Sequence, residues 1–183
     1  MSIIFDRLKN RMKWNGYNSL TTQQSLQNAW NEKAGNSAEI NLLLIVMLQK
    51  AGIKTNPVIL STRKNGMLPP RHSLYKMNYV IACAEIDGKK YLMDATDPFS
   101  RINMLPERCL NGNGRLISES QNKPINLQPQ IAFRKNIFGM IQIQKDKLQA
   151  SLKTTKRNYA AYKFREKYTD YTNADEYKKT GKK

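Results

Sequence analysis

The chain has 183 residues, of which 40% are hydrophobic, so wholesale disorder is excluded and one domain with a sizeable core is possible. Its net charge of +17 is uneven, because residues 1–120 carry 16 Lys and Arg against 9 Asp and Glu, whereas residues 121–183 carry 15 against 5. No recognition motif accompanies this charge, so we expect a solvated basic face, and nucleic-acid binding is a hypothesis that rests on charge alone.

Two helices are predicted before the most apolar stretch. Apolar residues at helical spacing predict an amphipathic helix over residues 2–13, which ends before Asn15-Gly16. Thr21 or Thr22 can cap a second helix that runs to Lys33.

The most apolar stretch predicts one buried helix with both ends marked. Asn36 can cap its first turn, Glu39 can reach back as in a capping box, and Gly52 is suited to the left-handed position after its last turn. The stretch is too short for a membrane span, which needs about 20 residues. Its N-terminus is therefore a fixed, electropositive point inside the fold, and Ser37 lies on it.

The pattern then changes from helical to strand-like. Residues 56–62 form a predicted strand, and a loop over residues 63–75 follows. The strongest local signal is a hairpin, since residues 76–86 and 89–96 flank Asp87-Gly88, which suits a two-residue turn with positive φ.

This hairpin has a predicted register. With Ile86 opposite Lys89, the numbers of opposed residues sum to 175. Tyr79 and Asp94 are then diagonal neighbours on one face, about 7–8 Å apart at the backbone. A phenol and a carboxylate can meet across that distance.

The C-terminal third is predicted as a second hairpin followed by a basic, tyrosine-rich helix. Residues 121–130 are polar, and we place a domain boundary there, with one domain over residues 1–120 and another segment over residues 121–183. Two strands and a helix bury too little surface to be stable alone. The segment either packs on the first domain or begins a truncated one. The predicted buried face of the helix is formed by Ala161, Phe164, Tyr168 and Tyr171.

Several short runs together resemble the transglutaminase-like superfamily. These runs are Gly35-Asn36-Ser37-Ala38-Glu39, Asn78-Tyr79-Val80-Ile81, Asp94-Ala95-Thr96-Asp97 and Leu105-Pro106-Glu107-Arg108-Cys109-Leu110-Asn111-Gly112. They look most like the transglutaminase-like domain in the middle of large bacterial cell-envelope proteins. The resemblance covers roughly residues 3–117. It implies an α+β fold with helices packed on an antiparallel β-sheet, followed by the beginning of a β-rich domain.

The resemblance also implies positions for a catalytic triad. Active members use a cysteine at the helix N-terminus, a histidine on the first hairpin strand and an aspartate on the second. The matching positions here are Ser37, Tyr79 and Asp94. A helix dipole contributes only about 0.3–1 kcal/mol toward ionising a serine, and a phenol is mostly protonated at pH 7. We therefore expect Tyr79 to donate a hydrogen bond to Asp94 rather than to activate Ser37.

The remaining candidate residues have no evident activating partner. His72, the single histidine, lies in the predicted loop, where an exposed surface position is ordinary. Cys83 is expected as a small buried residue opposite Leu92, and Cys109 in a turn. The two cysteines show neither metal-ligand spacing nor a disulfide framework, and we expect no cofactor or metal.

The expected function is that of a catalytically inactive transglutaminase-like domain, a structural module or one that interacts with a protein, peptide or glycan. The alternative is a serine-based hydrolase or acyl transferase that uses Ser37 with Asp94. No secretory signal is present, so the chain as written would stay in the cytoplasm. If it is part of a longer exported protein, the resemblance implies the periplasm or cell envelope. If it is not, an unpaired β segment with an exposed edge indicates association or instability.

Overall fold

The computed structural model describes residues 1–68, 74–118, 122–129, 131–144, 147–169 and 171. The chain divides into two compact units, Met1–Gln130 and Ile131–Lys183. The first contains a helical layer and a five-stranded sheet, and the second contains a hairpin and a helix.

The described residues of the first unit form three α-helices, and the third is its central element. They are α1 (Ser2–Arg11), α2 (Leu26–Glu32) and α3 (Ser37–Lys50). Helix α3 begins with the predicted capping box between Asn36 and Glu39 and ends before Gly52, which has φ +75°. A two-strand parallel ladder, β1 (Lys13–Trp14) with β2 (Ala34–Gly35), joins the entry of α3 to the end of α1.

The predicted start of α2 at Thr21 or Thr22 is wrong. The cap is Ser25, whose side chain accepts a hydrogen bond from the backbone of Asn28. Gln23 and Gln24 precede the helix, and the carboxylate of Glu39, in α3, accepts from their N–H groups and holds this stretch outside it. A long-range acceptor therefore overrides the local capping signal.

Five strands form an antiparallel sheet in the order β5-β4-β3-β6-β7. They are β3 (Thr55–Leu60), β4 (Tyr79–Ile86), β5 (Lys89–Met93), β6 (Asn113–Ile117) and β7 (Asn122–Asn126). Helix α3 packs against β3 and β4, and the main hydrophobic cluster combines residues of α1 and α3 with those of the β4–β5 hairpin. The predicted α+β class, with helices on an antiparallel sheet, is confirmed.

The β4–β5 hairpin has the predicted register. Ile86 lies opposite Lys89 and Cys83 opposite Leu92, and both turn residues, Asp87 and Gly88, have positive φ. The paired part is shorter than predicted, because β4 begins at Tyr79 and β5 ends at Met93. Asp94 therefore follows directly after the last paired residue.

Strands β6 and β7 were not predicted, and they move the domain boundary. Residues 122–126 pair with β6 and so belong to the first unit, which extends ten residues beyond the predicted boundary at 120. Gly114 and Pro124 are residue types that are uncommon inside strands, so the sequence pattern does not indicate β6 and β7. Pro124 is tolerated because β7 is an edge strand, and Gly114 is required because a Cβ there would lie 2.8 Å from Val58 Cγ1.

The second unit contains β8 (Arg134–Gln144), β9 (Lys147–Arg157) and α4 (Tyr159–Tyr168). The two strands pair along their full length, as the predicted hairpin requires. The predicted buried face of the helix is wrong. Tyr159, Ala160 and Tyr162 are buried, whereas Ala161, Phe164, Tyr168 and Tyr171 are only partly buried. Phe164 and Tyr168 instead stack on each other with ring centroids 5.6 Å apart.

Candidate functional site

Ser37, the predicted nucleophile position, is the first residue of α3 and is fully buried. Its hydroxyl donates to the carbonyl of Ser19 at 3.0 Å and accepts from the N–H of Ser19 at 2.8 Å. Its backbone N–H donates to the carbonyl of Tyr17. Within the part of the chain that the structure describes, no hydrogen bond joins Ser37 to Tyr79 or Asp94.

The residues that cover the start of α3 form one segment, residues 15–24, which we call the covering segment. Asn36 donates its side-chain amide to the carbonyl of Thr21, and Glu39 accepts from the N–H groups of Gln23 and Gln24. These bonds use the polar groups around the helix N-terminus that an incoming anion would otherwise meet. The helix N-terminus is therefore bound by the chain itself.

Room for this arrangement comes from Gly35. A Cβ at this position would lie 2.8 Å from Oε2 of Glu39, the oxygen that accepts the N–H of Asn36. A contact that short forces something to shift. The absence of a side chain at Gly35 therefore lets the buried carboxylate of Glu39 lie close to the backbone.

Tyr79 and Asp94 meet as predicted. The Tyr79 hydroxyl donates to Oδ2 of Asp94 at 2.9 Å, and both side chains are fully buried. The same phenol oxygen accepts from Nε of Arg108 at 3.2 Å. Burial and then the neighbouring Asp94 raise the pKa of the Tyr79 phenol well above its ordinary value. Tyr79 is thus a hydrogen-bond donor that keeps its proton.

Asp94 is the centre of a larger buried network. Its Oδ1 accepts from the side-chain amide of Asn41 at 2.9 Å and from the backbone and hydroxyl of Thr96 at 3.0 and 2.7 Å. Asn41 also donates to the carbonyl of Val80 and accepts from the N–H of Ala95. These contacts tie α3 to both strands of the hairpin.

Arg108 supplies the positive charge that this network needs. It lies in a short 3₁₀ turn, Glu107–Cys109, with Nη2 2.7 Å from Oγ1 of Thr96 and 3.7 Å from Oδ2 of Asp94. Nη1 is 3.4 Å from Asp97, and the guanidinium lies 4.4 Å from the ring centroid of Trp14. Arg108 therefore joins Tyr79, Thr96 and the two carboxylates into one partly buried charged network.

Comparisons with known proteins add little to this geometry. No family model and no curated protein matches the chain. Among solved structures, the chain is similar to a crystal structure named "putative protease" from Parabacteroides distasonis, with a TM-score of 0.48 and 21% identity. The match covers 70% of this chain and 24% of that one, so the chain spans about a quarter of the length of that protein. Similarity at this level assigns neither a family nor an activity.

Cys109, expected in a turn, also belongs to the network. It is fully buried, and its thiol donates to Oδ2 of Asp94 at 3.5 Å. Burial and then Asp94 raise the pKa of this thiol well above its ordinary value. A thiol of this kind stays protonated and is not an activated nucleophile.

Cys83 is buried in β4 opposite Leu92, as predicted. Burial raises the pKa of its thiol from 9.0 to about 11. The unfolded chain loses this proton at lower pH than the folded chain, so the stability that the group contributes is present in full below about pH 9 and is lost as the pH rises to about 11. We expect a loss of up to about 2–3 kcal/mol in the free energy of unfolding over this window.

Urea unfolding followed by circular dichroism at a series of pH values checks this expectation. Cys83→Ala should show a shallower alkaline decline than the parent chain. Other buried groups also titrate at high pH, so the difference between the two profiles is the relevant quantity. Superimposable profiles would contradict the assignment.

His72 lies outside the described residues, so its predicted loop position stays a prediction. Sequence reasoning missed Asn41, Thr96 and Arg108 as members of the site. One signal was available for Asn41, because a polar residue four positions after Ser37 lies on the same helix face in an otherwise apolar run. Arg108 lies in one of the four runs that carry the resemblance, but neither its spacing nor its neighbours in the sequence indicate a contact with Asp94.

The described residues offer neither a cluster of metal ligands nor a helix that could span a membrane. No group of three or more His, Cys, Asp or Glu side chains is placed to hold a metal ion among them. No helix in the described ranges combines the length and apolar character needed to cross a bilayer.

Proposed function

We propose that the first unit is a catalytically inactive transglutaminase-like domain that works as a structural or interaction module. The observation that carries the proposal is the state of the Ser37 hydroxyl. It is fully buried, and both its donor and one acceptor site are used by the backbone of Ser19. A nucleophile needs an accessible lone pair and a base within hydrogen-bond reach, whereas the buried Ser37 hydroxyl bonds, within the described residues, only to the backbone of Ser19.

The partner groups support the same proposal. Tyr79 stands where the resemblance implies a histidine, and it donates to Asp94 while accepting from Arg108. A phenol in this position keeps its own proton, and a protonated phenol does not act as a base toward the hydroxyl of Ser37. The network of Tyr79, Asp94 and Arg108 therefore acts as a stabilising replacement for a catalytic pair.

The proposed setting follows from the resemblance to the central domains of bacterial cell-envelope proteins. In that setting the unit would hold neighbouring domains in place or bind a protein, peptide or glycan. No residue in the described site suggests a cofactor for such a role.

Activity measurements test this proposal directly. The purified chain is incubated with an amine donor and an acyl acceptor, and separately with a thiol-protease substrate, beside a Ser37→Ala variant. We expect no turnover that depends on Ser37. Turnover that disappears in Ser37→Ala would overturn the proposal.

Covalent labelling tests the alternative serine enzyme. A fluorophosphonate probe should leave Ser37 unmodified in the folded chain, because the hydroxyl is buried and is held by hydrogen bonds to the backbone of Ser19. Stoichiometric labelling at Ser37, lost on unfolding, would instead establish the serine-based hydrolase or acyl transferase.

A further inference from the structure

The β8–β9 hairpin has one face that is apolar and exposed. Residues opposite each other in an antiparallel pair share a face, so the register assigns the members of this apolar face. They are Ile137, Ile141, Ile143, Leu148, Ala150 and Leu152. The five large side chains among them are each between 60% and 77% exposed. Such a face is typical of a surface that another element covers.

The base of the same face is cationic. Lys135 and Lys156 are opposite each other, two residues before Ile137 along β8, and so share the apolar face. A cleft of about 500 Å³ lies there against α4, and Arg165 also lines it. Within the described residues, none of these three cations forms a salt bridge with an acidic side chain. Burial, and then the charges of Lys135 and Lys167, lower the pKa of Lys156. These cations therefore disfavour a basic partner on this face.

A second copy of the chain is a poor occupant of this face. Residues 134–157 contain 7 Lys and Arg and a single Asp. Two such hairpins would bring together the cations at both ends of β8 and those along β9. This repulsion opposes self-association.

A lipid bilayer is also a poor occupant. Within the described residues, β8 and β9 pair with each other alone, so both outer edges carry backbone N–H and C=O groups without a ladder partner. Burying such groups in hydrocarbon is costly because no water is present to satisfy them. In water, by contrast, the two edges stay available to pair with a further strand.

We propose that the hairpin binds an extended polypeptide segment of alternating apolar and acidic residues, which adds as a strand to the edge of β8. An added strand forms backbone hydrogen bonds with the edge of β8, and every second side chain of the added strand packs beside the apolar face. The choice of edge follows from charge. Residues 136–143 of β8 contain no charged side chain, whereas β9 carries Lys147, Lys153, Lys156 and Arg157. Lysines along a strand edge discourage pairing.

The charges fit the acidic part of such a segment. Its apolar side chains would extend the apolar face, and its acidic side chains would lie on the opposite face, where Lys153 is located across from Phe138. An added strand lies about 10 Å from β9, at two strand spacings. This is close to the screening length of about 8–10 Å at physiological salt, and the long lysine side chain shortens the gap further.

The inference gives a partner class to the interaction role and in that sense rests on the proposed function. It uses residues of the second unit alone, whereas the inactivity of the first unit depends on Ser37 and its contacts. Ser37-dependent turnover would therefore overturn the proposed function without changing the binding result, and absence of binding would leave the inactivity untouched.

A binding experiment on the full chain tests the inference. The probe is a fluorescein-labelled nonapeptide with blocked ends that alternates glutamate and isoleucine, and its lysine–isoleucine counterpart is the control peptide. We expect anisotropy to show binding of the acidic peptide, weakening as salt is added. Hydrogen exchange should slow at residues 136–143. Ile141→Lys should weaken binding at least about tenfold, because it places a charge in the buried contact.

Two further variants keep the test decisive. Ile3→Lys makes the same change at a side chain 81% exposed on α1 and should leave binding unchanged. Ile143→Lys, at another exposed position of the apolar face, should repeat the loss if Ile141→Lys disturbs the hairpin. Equal binding of the basic peptide, protection outside β8, tighter binding to phosphatidylglycerol vesicles or self-association in sedimentation would each overturn the proposal.

Discussion

Replacing Glu39 with alanine is expected to lower the free energy of unfolding by about 3–6 kcal/mol. Oε1 accepts from the N–H groups of Gln23 and Gln24 at 2.8 and 3.1 Å, and Oε2 accepts from the N–H of Asn36 at 2.8 Å. The side chain is 1% exposed. Its removal leaves three donors without their acceptor, and each such loss costs about 1–3 kcal/mol. Some of these donors can bond to water in the variant, so the expected loss lies below the upper limit of about 9 kcal/mol that three unsatisfied donors would give.

Two matched variants identify the source of the loss. Glu39→Gln keeps an acceptor for part of the network, so its effect should be roughly half as large. Glu32→Ala removes an exposed carboxylate from the neighbouring helix α2 and should change stability by less than about 0.5 kcal/mol. Urea unfolding followed by circular dichroism measures all three. A loss below about 1 kcal/mol in Glu39→Ala would show that the carboxylate does not hold the covering segment.

Replacing Arg108 with methionine is expected to cost about 3–5 kcal/mol, the usual effect of leaving a buried charge without its partner. Asp94 is fully buried, and the Arg108 side chain is 23% exposed. Methionine keeps part of the packing against Trp14 while removing the hydrogen bonds to Tyr79 and Thr96. The loss is therefore mainly electrostatic.

A double-mutant cycle separates the charge interaction from packing. Asp94→Asn together with Arg108→Met should be less destabilising than the sum of the single changes, because the double variant contains no unpaired buried charge. Tyr79→Phe should cost about 1–2 kcal/mol, since it removes one hydroxyl from the network. Arg101→Met, at an exposed arginine, is the control. Strict additivity would show that Arg108 and Asp94 do not act as a pair.

The parts of the fold that the sequence predicted well are those with local causes. The start of α3 followed from Asn36 and Glu39, three residues apart, and the β4–β5 register followed from the turn at Asp87-Gly88. That register also predicted the meeting of Tyr79 with Asp94. In each case, short-range geometry determines the result and does not depend on distant residues.

The parts that failed depend on residues far apart in the chain. The start of α2 depends on Glu39, which lies 15 positions after Gln24, and strand β6 depends on a close contact of Gly114 with Val58. Arg108 reaches Asp94 from a separate turn, and a burial of this kind leaves no periodic signal. The state of Ser37 likewise depends on Ser19 in the covering segment. These contacts exist only once the chain has folded.

The contact of Gly35 with Glu39 changes what the run Gly35-Asn36-Ser37-Ala38-Glu39 means as a signature. Gly35 makes room for a carboxylate, Asn36 caps the helix, and Glu39 holds the covering segment. Three of the five residues are thus explained by folding, and none of these three roles involves a reaction. A search with this run would therefore find proteins that begin a buried helix in the same way, whether or not they retain any chemistry at its first residue.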